Sequence, residues 1–335
     1  MRVLLFGATG TIGQATCKAL LHAGHEVFCF VRQPSQTQAH ELLAGAQLRF
    51  GDVQSIESVT NEGLQSERFD AFVSCMASRT GAPKDAWAID YQAHSQLLQI
   101  AKQAGVAQFV LLSAICVQKP LLAFQQAKLA FEKELSESGL VYSIVRPTAF
   151  FKSLSGQIKR LQQNKPFLLF ADGQLTACKP ISDHDLGMFI AQCLSDPAKH
   201  NQILPIGGPG EAITPLQQGE YLFKAMGKPP KFKQVPVALL DVIIQVLKVL
   251  GWFMPSLAAK AELARIGRYY ATESMLLWDE KSGRYAADAT PSQQSVAVIV
   301  PAADQPQEAL VAVISPDQPT RVLQKPEVKQ DASAT

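Results

Sequence analysis

Seven residues near the N-terminus, Gly7-Ala8-Thr9-Gly10-Thr11-Ile12-Gly13, constrain this chain more than any other stretch. They follow the apolar run 3–6 and open the segment 12–23, whose apolar residues recur at helical spacing. Three glycines so placed between a first strand and a first helix serve three ends. They allow a tight turn, they let backbone N–H groups approach a pyrophosphate, and they let the helix pack closely on the strand. The helix N-terminus then faces the phosphate charge. Gly7, Ala8, Thr9, Gly10, Thr11, Ile12 and Gly13 are therefore all candidates for cofactor binding.

The same alternation continues to about residue 150. Short apolar runs at 3–6, 26–31, 47–50, 71–75, 109–112 and 142–145 alternate with amphipathic segments such as 12–23 and 94–104. Gly24, Gly105 and Gly139 stand where helices should stop. The pattern predicts an α/β protein built on a doubly wound parallel sheet of the Rossmann type, covered on both faces. Ligands in such sheets lie at the carboxyl ends of the strands. Arg32 closes strand two, where an NAD enzyme would carry a carboxylate, and a guanidinium there suits the 2′-phosphate of NADPH. Asp52 and Val53 follow strand three at the adenine position. Ser74 and Ser113 close strands four and five.

Composition narrows the remainder. Across 335 residues, 47% hydrophobic and 18% charged side chains exclude a largely disordered chain. A net charge of +2 gives no electrostatic case for nucleic acid. The six cysteines form no C-x-x-C pair and the six histidines no H-E-x-x-H, so reduced thiols and no metal site are expected. Strand-like residues begin at Val3, which predicts a cytoplasmic chain without signal or transit peptide. We divide the chain into an NADP-binding domain (1–150), a smaller substrate-binding lobe with returning strands and helices (151–290), and a Pro-rich tail (291–335) expected to be disordered. Within that tail, 296–300 and 310–314 are candidate short strands. Ser182-Asp183-His184-Asp185 reads as a helix start with Ser182 as N-cap, not as a catalytic histidine site. The segment 237–254 is rich in Leu, Ile and Val, but Asp241 and Lys248 interrupt any clean membrane span. It is expected to be a buried or substrate-facing helix, with contact to a membrane surface as the alternative.

The glycine turn, Arg32, Gly51-Asp52, Ser113 and Lys128 together resemble the extended or atypical short-chain dehydrogenase/reductases. The catalytic Tyr-x-x-x-Lys of that superfamily reads Phe124-Gln125-Gln126-Ala127-Lys128 here, so the lysine is present without the tyrosine. Longer blocks are similar to the divinyl chlorophyllide a 8-vinyl-reductase family. They are Phe109-Val110-Leu111-Leu112-Ser113-Ala114-Ile115-Cys116-Val117-Gln118-Lys119-Pro120, Ile144-Val145-Arg146-Pro147-Thr148-Ala149-Phe150-Phe151-Lys152-Ser153-Leu154, Cys178-Lys179-Pro180-Ile181-Ser182, Leu204-Pro205-Ile206-Gly207-Gly208-Pro209-Gly210 and Ile266-Gly267-Arg268-Tyr269-Tyr270-Ala271-Thr272-Glu273-Ser274-Met275. The resemblance spans about residues 1–292. It implies NADPH-dependent reduction of the C8 vinyl group of a chlorophyll or bacteriochlorophyll precursor in photosynthetic organisms.

On that resemblance Lys128 holds the nicotinamide ribose, and Pro147, Thr148 and Phe150 line the nicotinamide pocket. Tyr270, Tyr269 or a water supplies the proton. Phe151, Tyr269 and Tyr270 contact the tetrapyrrole, as Trp252 and Phe253 would from 237–254. Lys152 or Arg146 pairs with its propionate, unless Arg146 is structural. Two other classes remain in view: a non-catalytic NADP-binding sensor or assembly factor, and a nucleotide-sugar epimerase, which Phe124 disfavours. If Arg32 selects the 2′-phosphate, Arg32→Glu raises the Michaelis constant for NADPH and narrows the preference over NADH. Steady-state kinetics with both cofactors measures this, and unchanged selectivity would refute the assignment.

Overall fold

A computed structural model describes residues 1–32, 41–151, 155–251, 255–286, 297–299 and 311–313. Lys152, Trp252 and Phe253 lie outside the described residues, as does the tail apart from its two short strands.

Seven parallel strands form the central sheet. They are β1 (Arg2–Phe6), β2 (Glu26–Val31), β3 (Gln47–Phe50), β4 (Ala71–Ser74), β5 (Gln108–Leu112), β6 (Val141–Pro147) and β8 (Gln202–Ile206), in the order β3-β2-β1-β4-β5-β6-β8. The reversal at β1 opens a crevice above the carboxyl ends of β1 and β4. β1 is apolar at successive positions because both its faces are buried. Val3 and Leu5 join the core under α1 (Thr11–His22) and α6 (Asp183–Gln192). Leu4 and Phe6 join the opposite core. That second core lies under the helical run 83–103, labelled α3, and under α4 (Ala123–Ser136). α3 contains a π-helical stretch, Trp87–Ala93, that helical periodicity did not foretell. A shorter helical run, α2 (56–64), crosses after β3.

The C-terminal half contributes to this body as well as to a smaller lobe. α6 packs on α1 so closely that a Cβ on Gly187 would stand 2.7 Å from the carbonyl of Ala15. Ser182 caps α6, its Oγ accepting from the Asp185 N–H at 3.0 Å, while His184 is exposed. The smaller lobe pairs β7 (Phe167–Phe170) with β9 (Phe232–Val235). Its core is shared with α5 (Ile158–Gln162) and α7 (Pro215–Ala225).

Two long helices follow, α8 (Val237–Gly251) and α9 (Pro255–Thr272), packed along each other. No residue of α8 is buried, which corrects the expectation of a buried helix: only one of its faces has a partner. A hairpin, β10 (Leu277–Asp279) and β11 (Arg284–Ala286), comes next. The runs expected as tail strands supply β12 (Ala297–Ile299) and β13 (Val311–Val313), paired antiparallel. Among the described residues, no helix is long and apolar enough to cross a membrane.

His94 joins β4 to α3 deep in the fold. Its Nδ1 lies 2.7 Å from the Ile89 carbonyl, which can only accept, so Nε2 accepts from the Ser74 hydroxyl at 2.8 Å. Burial, and then the nearby charge of Lys128, lower its pKa to about 4 from 6.5. The unfolded chain therefore takes up a proton that the native ring refuses. Stability from this site is complete above about pH 6.5 and is lost as pH falls toward about 4, on the order of 3 kcal/mol in all. Denaturant titrations at pH values across that window should show this slope in the wild type and a flatter profile in His94→Gln. An equal slope in the variant would assign the acid sensitivity elsewhere.

Candidate active site

The turn after β1 has the backbone that its glycines require. Gly7 adopts φ +76°, and a Cβ there would lie 2.7 Å from the peptide joining Cys75 to Met76. A Cβ on Gly13 would lie 2.1 Å from the Gly7 carbonyl oxygen. These two glycines are demanded by the fold. Gly10 differs: its Cβ would meet nothing nearer than 3.4 Å, so the protein itself leaves room there. Gly10 caps α1 with no side-chain hydrogen bond, and the first turn carries no acid. The helix N-terminus and the unfilled cradle fit a phosphate. Ala8 and Ile12 are buried beneath the turn, and Thr9 accepts from Gln14 through its carbonyl at 2.9 Å.

Arg32 is exposed at the carboxyl end of β2. After β3, the Asp52 carboxylate accepts from the Gln54 N–H at 3.0 Å, and the Asp52 N–H donates to Ser58. Val53 packs beside the second core.

Ser74 and Ser113 sit where expected, at the ends of β4 and β5, but both hydroxyls are engaged inside the protein. Ser74 is held by His94. Ser113 donates to Glu132, which also receives the Arg146 guanidinium through two nitrogens. Of the alternatives left open for Arg146, this geometry favours the structural one, because a buried carboxylate already holds its charge. At the end of β6, Pro147 and the following Thr148 are buried, with the Thr148 hydroxyl donating to the Lys179 carbonyl. Phe150 and Phe151 are half-buried beside them.

Lys128 is buried on α4 with its Nζ 3.0 Å from Asp90 Oδ1, and the Ser78 N–H reaches the same oxygen at 3.2 Å. Asp90 Oδ2 is buried with no hydrogen-bond partner among the described residues. An ammonium with donors to spare beside an orphaned carboxylate oxygen suits a ligand carrying hydroxyls that both donate and accept, such as a ribose.

α9 closes the site from above. Tyr269 is buried, and its hydroxyl donates to the Cys116 carbonyl at 3.0 Å; its ring meets Phe124, Leu122 and Ile266 in one small apolar cluster. Tyr270 stands edge-on to Tyr269 at 5.6 Å and lines a cavity of about 300 Å³ with Phe167, Phe170, Leu175 and Thr176. Desolvation, followed by the neighbouring Cys116 thiol, pushes both phenols up, so both keep their protons at neutral pH. The seam is clamped by Lys119, which pairs with Glu273 and lies 4.2 Å above the Trp278 ring.

The NAD(P)H-binding family matches residues 7–197. The chloroplastic divinyl chlorophyllide a 8-vinyl-reductase of Cucumis sativus is 50% identical over 303 residues, covering 87% of this chain and 72% of that protein. The chain belongs to the divinyl chlorophyllide a 8-vinyl-reductase family. Its cofactor is accordingly an NAD(P)H. The photosystem II assembly factor Ycf39 of Guillardia theta is more distant, 28% identical over 62% of this chain and 65% of that protein. Among solved structures, the leucoanthocyanidin reductase–NADPH complex from Vitis vinifera shares the fold at a TM-score of 0.60. It is 18% identical and covers 82% of this chain and 92% of that one.

Three residues at this site escaped the sequence reading. Asp90 lies in a π-helical stretch with no spacing to announce it. Cys116 was read only as one of six scattered thiols. Gln125, fully buried beside Cys116 and Tyr269, was passed over as a spacer in Phe-x-x-x-Lys. The glycines yield a direct test. Gly10→Ala should weaken NADPH binding by roughly tenfold or more with little change in melting temperature. Gly13→Ala should cost about 1–3 kcal/mol or more in stability by forcing backbone apart. NADPH fluorescence titration and thermal denaturation separate the two. Equal NADPH affinity in Gly10→Ala would mean that the phosphates lie elsewhere.

Proposed function

We propose that the chain reduces the C8 vinyl group of a divinyl chlorophyllide or protochlorophyllide to ethyl, with NADPH as reductant, in chlorophyll or bacteriochlorophyll synthesis. The observation that carries this reading is the pairing at positions 124 and 128. Lys128 is kept and buried, while position 124 carries a phenyl packed against Tyr269 and Ile266. Carbonyl reduction needs an acid beside the lysine to protonate a developing alkoxide, and phenylalanine has none. A vinyl group conjugated to a macrocycle develops no alkoxide. Negative charge left at the inner vinyl carbon spreads into the ring, so position 124 can be apolar.

The residues divide accordingly. The turn from Gly7 to Gly13 holds the pyrophosphate, Arg32 the 2′-phosphate, and Asp52 with Val53 the adenine end. Lys128 and Asp90 hold the nicotinamide ribose, and Pro147, Thr148 and Phe150 wall the nicotinamide. Ser74 and Ser113 support these positions from beneath through His94 and Glu132. NADPH supplies hydride to the terminal vinyl carbon when bound. Tyr270, on the wall of the apolar cavity, is the proton donor to the inner carbon. Tyr269, whose proton is committed to the Cys116 carbonyl, positions it. The cavity of about 300 Å³ takes one edge of a tetrapyrrole, with Phe151 and Tyr270 against its rings. Lys152 is left to pair with the propionate, since Arg146 is held by Glu132. An apolar pigment also implies peripheral contact with a photosynthetic membrane.

In deuterated water with ordinary NADPH, the product ethyl group should gain deuterium at its inner carbon alone, as read by NMR. Lys128→Ala should lose most cofactor use. Tyr270→Phe should lower kcat by roughly 10²-fold, the usual worth of a positioned acid. Phe124→Tyr should bring no gain. Deuterium at the terminal carbon, or full activity in Lys128→Ala, would sink this mechanism.

A further inference from the structure

α8 presents two apolar stripes on opposite faces. Val237, Leu240, Ile244 and Leu247 are half-buried on the side turned to the protein. Leu239, Val242, Ile243, Val246, Val249 and Leu250 recur at the same helical spacing on the other side, and all are exposed; Val242 reaches 59% and Val249 62%. Leu263 on α9 is exposed to a similar degree. A continuous stripe of this length is more than scattered surface leucines and valines explain.

The charge around this stripe selects its partner. Between Lys224 and Arg268 the chain carries eight Lys or Arg and two acids, a net +6, although the whole chain is only +2. Both acids are already neutralised, Asp241 by Arg268 and Glu262 by Arg265. Lys224, Lys231, Lys233, Lys248 and Lys260 are exposed and make no ion pair among the described residues. An apolar face in a stretch of chain this rich in unpaired lysines is poorly suited to a second copy of the chain. Lysine is depleted from protein interfaces, and a symmetric pair would bring two such basic faces together. It suits a surface that is apolar within and anionic at its boundary. At fifteen residues α8 is about 22 Å long, too short for a hydrocarbon core of about 30 Å, so it would lie along such a surface and not across it.

We propose that the outer face of α8 and its flanking lysines dock the protein on an anionic lipid bilayer. This rests on the membrane contact proposed above and gives it a surface and a lipid chemistry. It also places the bilayer on the helical pair whose second member, α9, carries Tyr269 and Tyr270 into the site. An apolar tetrapyrrole then passes from lipid to cavity along one structural unit.

The test uses the full chain without pigment or NADPH, sedimented with vesicles. Mixed phosphatidylcholine–phosphatidylglycerol vesicles should retain the wild type, and pure phosphatidylcholine or high salt should release most of it. Val246→Asp combined with Val249→Asp, and separately Lys231→Glu combined with Lys233→Glu, should each weaken retention by about tenfold or more. These positions are exposed, and unchanged melting temperatures confirm that the variants fold. Turnover of detergent-dispersed pigment should be retained in both, so a lost vesicle interaction with intact turnover is the supporting result. Undiminished retention of either variant overturns the proposal. So does equal retention by neutral vesicles. Sedimentation equilibrium showing a dimer that Val249→Asp dissociates, without vesicle binding, also overturns it in favour of a second copy. None of these outcomes touches the vinyl-reductase reading, which the isotope experiment judges alone.

Discussion

The approach of backbone to backbone at the first turn is the constraint on which the rest depends. Gly7 lies against the Cys75–Met76 peptide, and Gly13 sits on the Gly7 carbonyl, with no space for a methyl group at either point. That contact sets how α1 leaves the sheet and where its N-terminus points. It also brings the ends of β1 and β4 together, and the order β3-β2-β1-β4-β5-β6-β8 then opens its crevice there. Of the three glycines in the turn, Gly10 is the one that the fold does not demand. Position and charge for a dinucleotide phosphate thus follow from packing that would exist without the ligand.

Above this platform, the site is shared between the sheet and a helix from far along the chain. Tyr269 reaches back to Cys116, Lys119 pairs with Glu273, and the Gln118 amide holds the β10–β11 hairpin through the Trp278 N–H. Each link joins residues more than 150 positions apart. The segment around 116–119 therefore has two jobs: it ends the β5 connection, and it docks the C-terminal unit over the crevice. This arrangement brings the Tyr269 and Tyr270 rings to the connection after β5, an aromatic surface suited to a large flat apolar substrate.

Two ion pairs are held inside the body, Lys128 with Asp90 and Arg146 with Glu132, and breaking either would leave a costly isolated charge there. At Asp90 the second carboxylate oxygen, Oδ2, is buried with no hydrogen-bond partner among the described residues, beside the Lys128 ammonium. Lys224, Lys231, Lys233, Lys248 and Lys260 lie exposed at the surface instead, where water or a lipid headgroup solvates them.

How much of this was legible in the sequence depends on the range of the interaction. The phosphate turn, the first six strands, the Ser182 cap and the missing tyrosine at Phe124 are local properties. Glycine spacing, apolar period and residue identity are written within a few positions of one another. Partners were not legible. Nothing near Asp90 says that Lys128 lies beside it, and nothing near Arg146 says that Glu132 and Ser113 already hold it. Tyr269 and Tyr270 are adjacent and chemically identical. Only the direction in which α9 lands turns one hydroxyl to a backbone carbonyl and the other ring to a cavity. The 237–254 segment is apolar on two sides of a helix, with Asp241, Gln245 and Lys248 between them, a pattern read as a buried or substrate-facing helix. Whether such a helix is buried depends on how many neighbours the topology supplies, and tertiary structure supplied one.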